Sequence, residues 1–148
     1  RVIYDTGSAD LWIGSDLCEH APCTEADRHR YNHSLSSTFQ PPPAPVDLVT
    51  VYGSGRLTGR LGIDSVRVGP LVAKYQTLGL IKEEEGSFED LPFDGIVGLG
   101  FQALLSHHNG SKPLVQTLID QEQMAVPQFA FYLHRDPAEG GALLWGDS

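Results

Sequence analysis

The chain has 148 residues, enough for one domain with a real core, and carries a formal net charge of −9 with a sequence pI of about 4.9. That balance argues against nucleic acid and against an anionic membrane surface as partners, and no apolar run is long enough to span a bilayer. Sixteen glycines, ten prolines and short alternating apolar runs favour an all-β fold with one or two short helices.

The first element is the apolar run Val2-Ile3-Tyr4, followed by Asp5-Thr6-Gly7-Ser8 and then Leu11-Trp12-Ile13. A carboxylate on a tight turn between two strand-like runs is a way to hold an acid at the floor of a cleft. Gly7 lets the backbone turn sharply. Thr6 and Ser8 supply hydroxyls that orient the carboxylate and favour its charged form. Taken alone, Asp-Thr-Gly also fits an ordinary turn between strands. Residues 14–45 read mostly as loop, ending in the proline run 41–45. Cys18 and Cys23, the only cysteines, are spaced for a small surface loop. Free thiols, a bridge, and a metal site with His29 and His33 all remain open on spacing alone, although a zinc finger needs a longer gap between its ligand pairs. Asn32-His33-Ser34 and Asn109-Gly110-Ser111 are N-glycosylation sequons.

Val49-Thr50-Val51-Tyr52 alternates as a strand, Gly53-Ser54-Gly55 is turn chemistry, and Leu57 to Val68 reads as the returning strand of a hairpin. Leu71 to Leu80 is a further strand. Lys82-Glu83-Glu84-Glu85-Gly86 reads as a solvated surface turn. Phe93-Asp94-Gly95-Ile96-Val97-Gly98-Leu99-Gly100 reads as a buried strand, closed by glycines where chains pass closely. Asp94 reads as structural. Pro113 to Gln123 is the best helix, with Leu114, Val115, Leu118 and Ile119 along one face. Strands at Gln128 to Leu133 and Ala142 to Trp145 flank a turn at Asp136 to Gly141. His107-His108 reads as a solvated loop.

Three segments together resemble the amino-terminal lobe of a pepsin-like, cathepsin D-like aspartic protease: Asp5 through Trp12, Val51 through Gly55, and Phe93 through Gly98. The resemblance covers nearly the whole chain, with Ser36-Ser37-Thr38-Phe39 and Phe131-Tyr132-Leu133 adding to it. Trp145 departs from it, standing where a smaller aliphatic residue is usual. The resemblance implies one lobe of a bilobal, mainly β enzyme, truncated at both ends and lacking its second lobe. It implies Asp5 as a catalytic carboxylate, set in Thr6, Gly7 and Ser8. It makes the hairpin around Tyr52, Gly53 and Ser54 a flap, supported by Trp12, with Phe93 and Ile96 bordering the substrate pocket. It implies a Cys18–Cys23 disulfide, hence an oxidising, secretory route to an acidic vesicle or the exterior.

The chemistry so implied is peptide hydrolysis by an activated water between two carboxylates, with neither metal nor cofactor and with large apolar residues beside the cleaved bond. Only one suitable Asp is present. A second lobe of the same parent chain supplies the other in pepsin-like enzymes; in retroviral-type proteases a second identical chain does so. The disulfide pair, the long loop and the helix favour the first. The rival reading is a peptide-binding pseudo-protease lobe.

Overall fold

The computed structural model describes residues 1–107 and 110–146. Its strands are β1 Val2–Asp5, β2 Leu11–Gly14, β3 Asp47–Tyr52, β4 Gly55–Val68, β5 Leu71–Gly86, β6 Gly95–Gly98, β7 Phe129–Leu133 and β8 Gly141–Trp145. Among the described residues, one α-helix, α1, spans Leu114–Asp120, and there are four short 3-10 turns. The fold is therefore mainly β, as composition and patterning predict.

The first six strands form one sheet in the order β1-β6-β2-β5-β4-β3, and β7 pairs with β8 in a separate hairpin. β3 and β4 are antiparallel through the two-residue turn Gly53-Ser54, with Tyr52 opposite Gly55. β4 and β5 form a long hairpin with register shifts at Thr58/Gly59 and Asp64/Val66. Such irregularities bend and twist the strands, which curls the sheet. β1 and β2 do not pair with each other; β6 lies between them, parallel to β1 and antiparallel to β2.

That insertion places the acid turn. Residues 6–10 must cross over the end of β6 to pass from β1 to β2. Three backbone bonds tie the crossing: Leu99 N–H to Asp5 O at 2.7 Å, Gly98 N–H to Asp10 O at 2.9 Å and Gly100 N–H to Ser8 O at 2.7 Å. The approach is close enough that a Cβ on Gly98 would lie 2.5 Å from the Ala9 carbonyl carbon. The predicted close passage at these glycines is met at this crossing.

Side chains alternate across β6 and so serve two cores. Ile96 joins Trp12, Leu48, Leu57, Ile81, Phe88 and Phe93 in one cluster. Val97 joins Ala73, Leu99, Leu114, Leu118 and Met124 in the other. α1 belongs to the second, with Leu114 and Leu118 fully buried, as its apolar face predicts. It is shorter than the predicted 113–123 segment. Past its end, the Gln121 side chain exchanges hydrogen bonds with the Lys74 backbone, at 2.9 and 2.7 Å, so a glutamine serves in place of a neighbouring strand.

The expectation of a surface turn at Lys82-Glu83-Glu84-Glu85-Gly86 is overturned. This segment is the end of β5, paired with β4 as far as Gly55 opposite Gly86. Lys82, Glu83, Glu85 and Gly86 are exposed as expected, but Glu84 is buried against Arg28, a counter-charge from a distant loop that the sequence does not place beside it. Trp145 is accommodated by aromatic packing: its ring lies 6.1 Å from Tyr4 and 6.0 Å from Phe129.

Candidate active site

Asp5 ends β1 and is half-buried. The Gly7 N–H donates to its Oδ1 at 2.9 Å, and the Ser8 hydroxyl donates to its Oδ2 at 2.5 Å. Both oxygens are thus held by the turn that carries them, which fixes the carboxylate plane before any substrate arrives. Thr6 is exposed. It borders an open groove of about 430 Å³ whose apolar lining includes Leu99, Phe101, Val115, Ile119 and Phe129. Asp10, at the far end of the turn, accepts from the Ser106 N–H at 3.1 Å and the Ser106 hydroxyl at 2.6 Å. Thr50 of β3 donates to the same hydroxyl at 3.3 Å.

Tyr52 ends β3. The Trp12 indole N–H donates to its hydroxyl at 3.1 Å. Burial pushes the Tyr52 pKa up; the Trp12 bond and the Ser8 hydroxyl oppose that, while the Asp10 and Asp5 carboxylates reinforce it. The structure therefore brings Asp5, Ser8, Trp12 and Tyr52 into one electrostatic neighbourhood. Gly53 is exposed at the hairpin tip. The Ser54 carbonyl accepts from the Ser87 N–H at 2.7 Å, which ties the tip to the end of β5.

Phe93 and Ile96 lie beneath Tyr52, but as core residues, 4% and 7% exposed. Phe93, Trp12 and Phe88 form an aromatic floor in which Phe88 meets Trp12 at 5.9 Å, Tyr52 at 6.2 Å and Phe93 at 6.3 Å, all edge to face. Sequence patterning does not mark Phe88, whose only signal is that of a lone aromatic two residues past the charged run. Arg28, which hydrogen-bonds the Phe88 and Phe93 carbonyls, carried no signal at all.

Asp94 is buried and receives the His29 N–H at 2.6 Å; burial pushes its pKa up, but that bond foremost holds it below the usual range. It lies just before β6, at the end of that strand away from the acid turn. Cys18 and Cys23 are joined in a disulfide, so neither offers a thiolate for the zinc alternative. His33 pairs instead with Asp16 at 2.8 Å. Asn32 is exposed, and its Oδ1 accepts from the Ser34 N–H and hydroxyl at 3.0 and 2.7 Å. The second sequon residue, Asn109, lies outside the described residues, as does His108.

A sequence model of eukaryotic aspartyl proteases matches residues 1–148. Pregnancy-associated glycoprotein 2 of Sus scrofa is 42% identical over 147 residues, covering 98% of this chain and 33% of that protein. Pepsin A of Bos taurus is 36% identical over 147 residues, covering 99% and 38% respectively. Plasmepsin IX of Plasmodium falciparum (isolate NF54) is 36% identical over 152 residues, covering 99% and 23%. The chain thus spans about a quarter to two fifths of the length of these relatives. On the match over its whole length, the chain belongs to the eukaryotic aspartyl protease family.

Proposed function

We propose that residues 1–148 form the amino-terminal lobe of an aspartic endopeptidase in which Asp5 is one of two catalytic carboxylates. The observation that carries this reading is the Asp5 carboxylate, gripped by Gly7 and Ser8 on the turn that crosses the end of β6. Its partner acid comes from a second lobe of the same parent chain. The exposed Thr6 and the apolar groove beside it, with Phe101 88% exposed, support a docking surface at that point.

Two facing carboxylates share one proton, a known property of aspartic proteases as a class. The ionised member takes a proton from a bound water, and the protonated member gives one to the peptide carbonyl. Water attacks directly, so no acyl-enzyme forms. The hairpin tip at Tyr52, Gly53 and Ser54 acts as the flap, held at rest by Trp12. When the tip lifts, Phe93 and Ile96 become the apolar floor for a large side chain beside the cleaved bond, so extended peptide segments of proteins are the substrates. Reaction with the second lobe present runs in acid, where one member of the pair keeps its proton.

Asp5→Asn tests the reading. In the two-lobed protein, turnover should fall by about 10²–10⁴-fold or more while near-UV circular dichroism stays unchanged. Retained turnover would remove Asp5 from the mechanism. The disulfide and the exposed Asn32 sequon support passage through the secretory pathway, and four relatives are themselves named glycoproteins. Endoglycosidase treatment should lower the mass of the secreted protein, and Asn32→Gln should remove that shift at this site; an unchanged mass excludes the glycan.

A further inference from the structure

We infer that Arg28 is a positioning residue for the apolar pocket beneath Tyr52, its guanidinium fork gripping from behind the two backbone segments that carry Phe88 and Phe93. This inference rests on the functional reading above and adds to it a residue that touches no substrate.

Arg28 and Glu84 form a buried ion pair, with side chains 3% and 0% exposed and 3.6 Å between Nη2 and Oε2. Taking two charges out of water is costly, and an apolar pair of the same volume would often be the more stable choice. Something other than charge pairing must set the geometry. The distances identify it. Nη2 donates to the Phe88 carbonyl at 2.7 Å and Nη1 donates to the Phe93 carbonyl, whereas neither Glu84 oxygen accepts any hydrogen bond. The guanidinium is therefore aimed at the two carbonyls, and Glu84 merely balances its charge. Its central carbon also stands 5.7 Å from the Phe93 ring centroid. A planar fork with several fixed donors can hold two carbonyls at once; an ammonium on a flexible stem cannot do so in the same geometry.

The two segments need such a grip. One is the 3-10 turn Ser87–Asp90, which contains Phe88, and the other is the irregular stretch before β6, which contains Phe93; no sheet ladder fixes the backbone of either. Yet their phenyl rings form the floor on which Tyr52 and Trp12 rest. When Tyr52 lifts, that floor loses contacts from above and keeps only those from below. Arg28 is itself held by turns running back to the disulfide: Arg28 N–H to Glu25 O and Glu25 N–H to Pro22 O, both 3.1 Å. The Cys18–Cys23 bracket thus ends in a fork that shapes the pocket.

Two variants separate this role from a general structural one. Arg28→Lys keeps the charge opposite Glu84 and loses the fork. The double variant Arg28→Met with Glu84→Gln removes both charges together, so no orphan ion is left to unfold the core. Each is assayed in the two-lobed protein on two peptides that differ only in Phe or Ala before the cleaved bond. KM for the Phe peptide should rise about tenfold, with kcat changed less than about twofold and the Ala peptide nearly unaffected. Wild-type discrimination in either variant, or equal loss on both peptides through kcat, would overturn the positioning role. If the wild-type protein cleaves neither peptide, the functional reading fails by itself. The fork is then judged from the part of the tryptophan emission that Trp12→Phe removes: its acrylamide quenching should increase in Arg28→Lys, and unchanged quenching would overturn the grip.

Discussion

Asp64 of β4 and Glu84 of β5 are both buried, at 4% and 7% exposure, yet their pKa values move in opposite directions. Burial pushes both up, because it disfavours the charged form. At Asp64 the hydroxyls of Thr38 and Tyr31 and the Ser65 N–H at 2.7 Å outweigh burial and hold the carboxyl below the ordinary 3.8. At Glu84 no donor reaches either oxygen; Arg28 opposes burial only in part, Asp94 adds to it, and the carboxyl rises above 4.5. The signs for stability follow by linkage. Asp64 contributes stability above its unfolded value, lost as pH falls through its folded one. Glu84 contributes most below its unfolded value, and that contribution is lost as pH rises through its folded one. Urea unfolding from about pH 4.5 to 7 should therefore show a decline in wild type that Glu84→Gln flattens. Tyr31, whose own pKa is pushed up to about 12 by burial first and then by Asp64, supplies one of the donors. Tyr31→Phe should cost about 1.5–3 kcal/mol near neutral pH and less in strong acid, where Asp64 is protonated; an equal loss at both pH values would mean that the bond is not charge-assisted. Such pairs escape sequence reading for a physical reason. Asp5, Trp12 and Tyr52 sit in local patterns that state their setting, whereas the neighbours of Asp64 and Glu84 arrive only when distant loops fold back.

Elements were legible where one local rule decided them, and misread where a tertiary partner did. The hairpin at Gly53-Ser54 follows from turn chemistry, and β6 from its apolar run between glycines. The end of β5 did not follow, because alternation of charged side chains looks like solvent exposure until Arg28 supplies a buried partner. The crossing of the acid turn over β6 was legible only as glycines that permit close passage, and its cost can be measured. A methyl on Gly98 meets backbone atoms of Ala9 at 2.5 to 2.7 Å, which no side-chain rotation relieves. Gly98→Ala should thus lose about 2–3 kcal/mol, the upper part of the overpacking range, in denaturant unfolding. A loss below about 0.5 kcal/mol would show that residues 6–10 move aside freely, and Asp5 could not then be held by this crossing.

At the scale of the whole chain, two cores lie against a six-stranded sheet, with one oriented carboxylate at the end of β1. General acid and general base action on one water and one carbonyl needs two groups in different protonation states at the same moment. A single aspartate samples those states only in succession. The 148-residue chain alone should accordingly give no turnover of a peptide substrate in acid, at any concentration. The dependence of rate on concentration distinguishes the ways this can be wrong. A rate linear in chain concentration would mean that one chain holds a complete site and that a second acid other than Asp5 works within it. A rate rising with the square of concentration at low occupancy would mean that two copies meet, each offering its Asp5 turn across the Thr6 and Phe101 surface. In that case Asp5→Asn mixed with wild type should fall short of half activity, because each mixed pair carries only one competent acid.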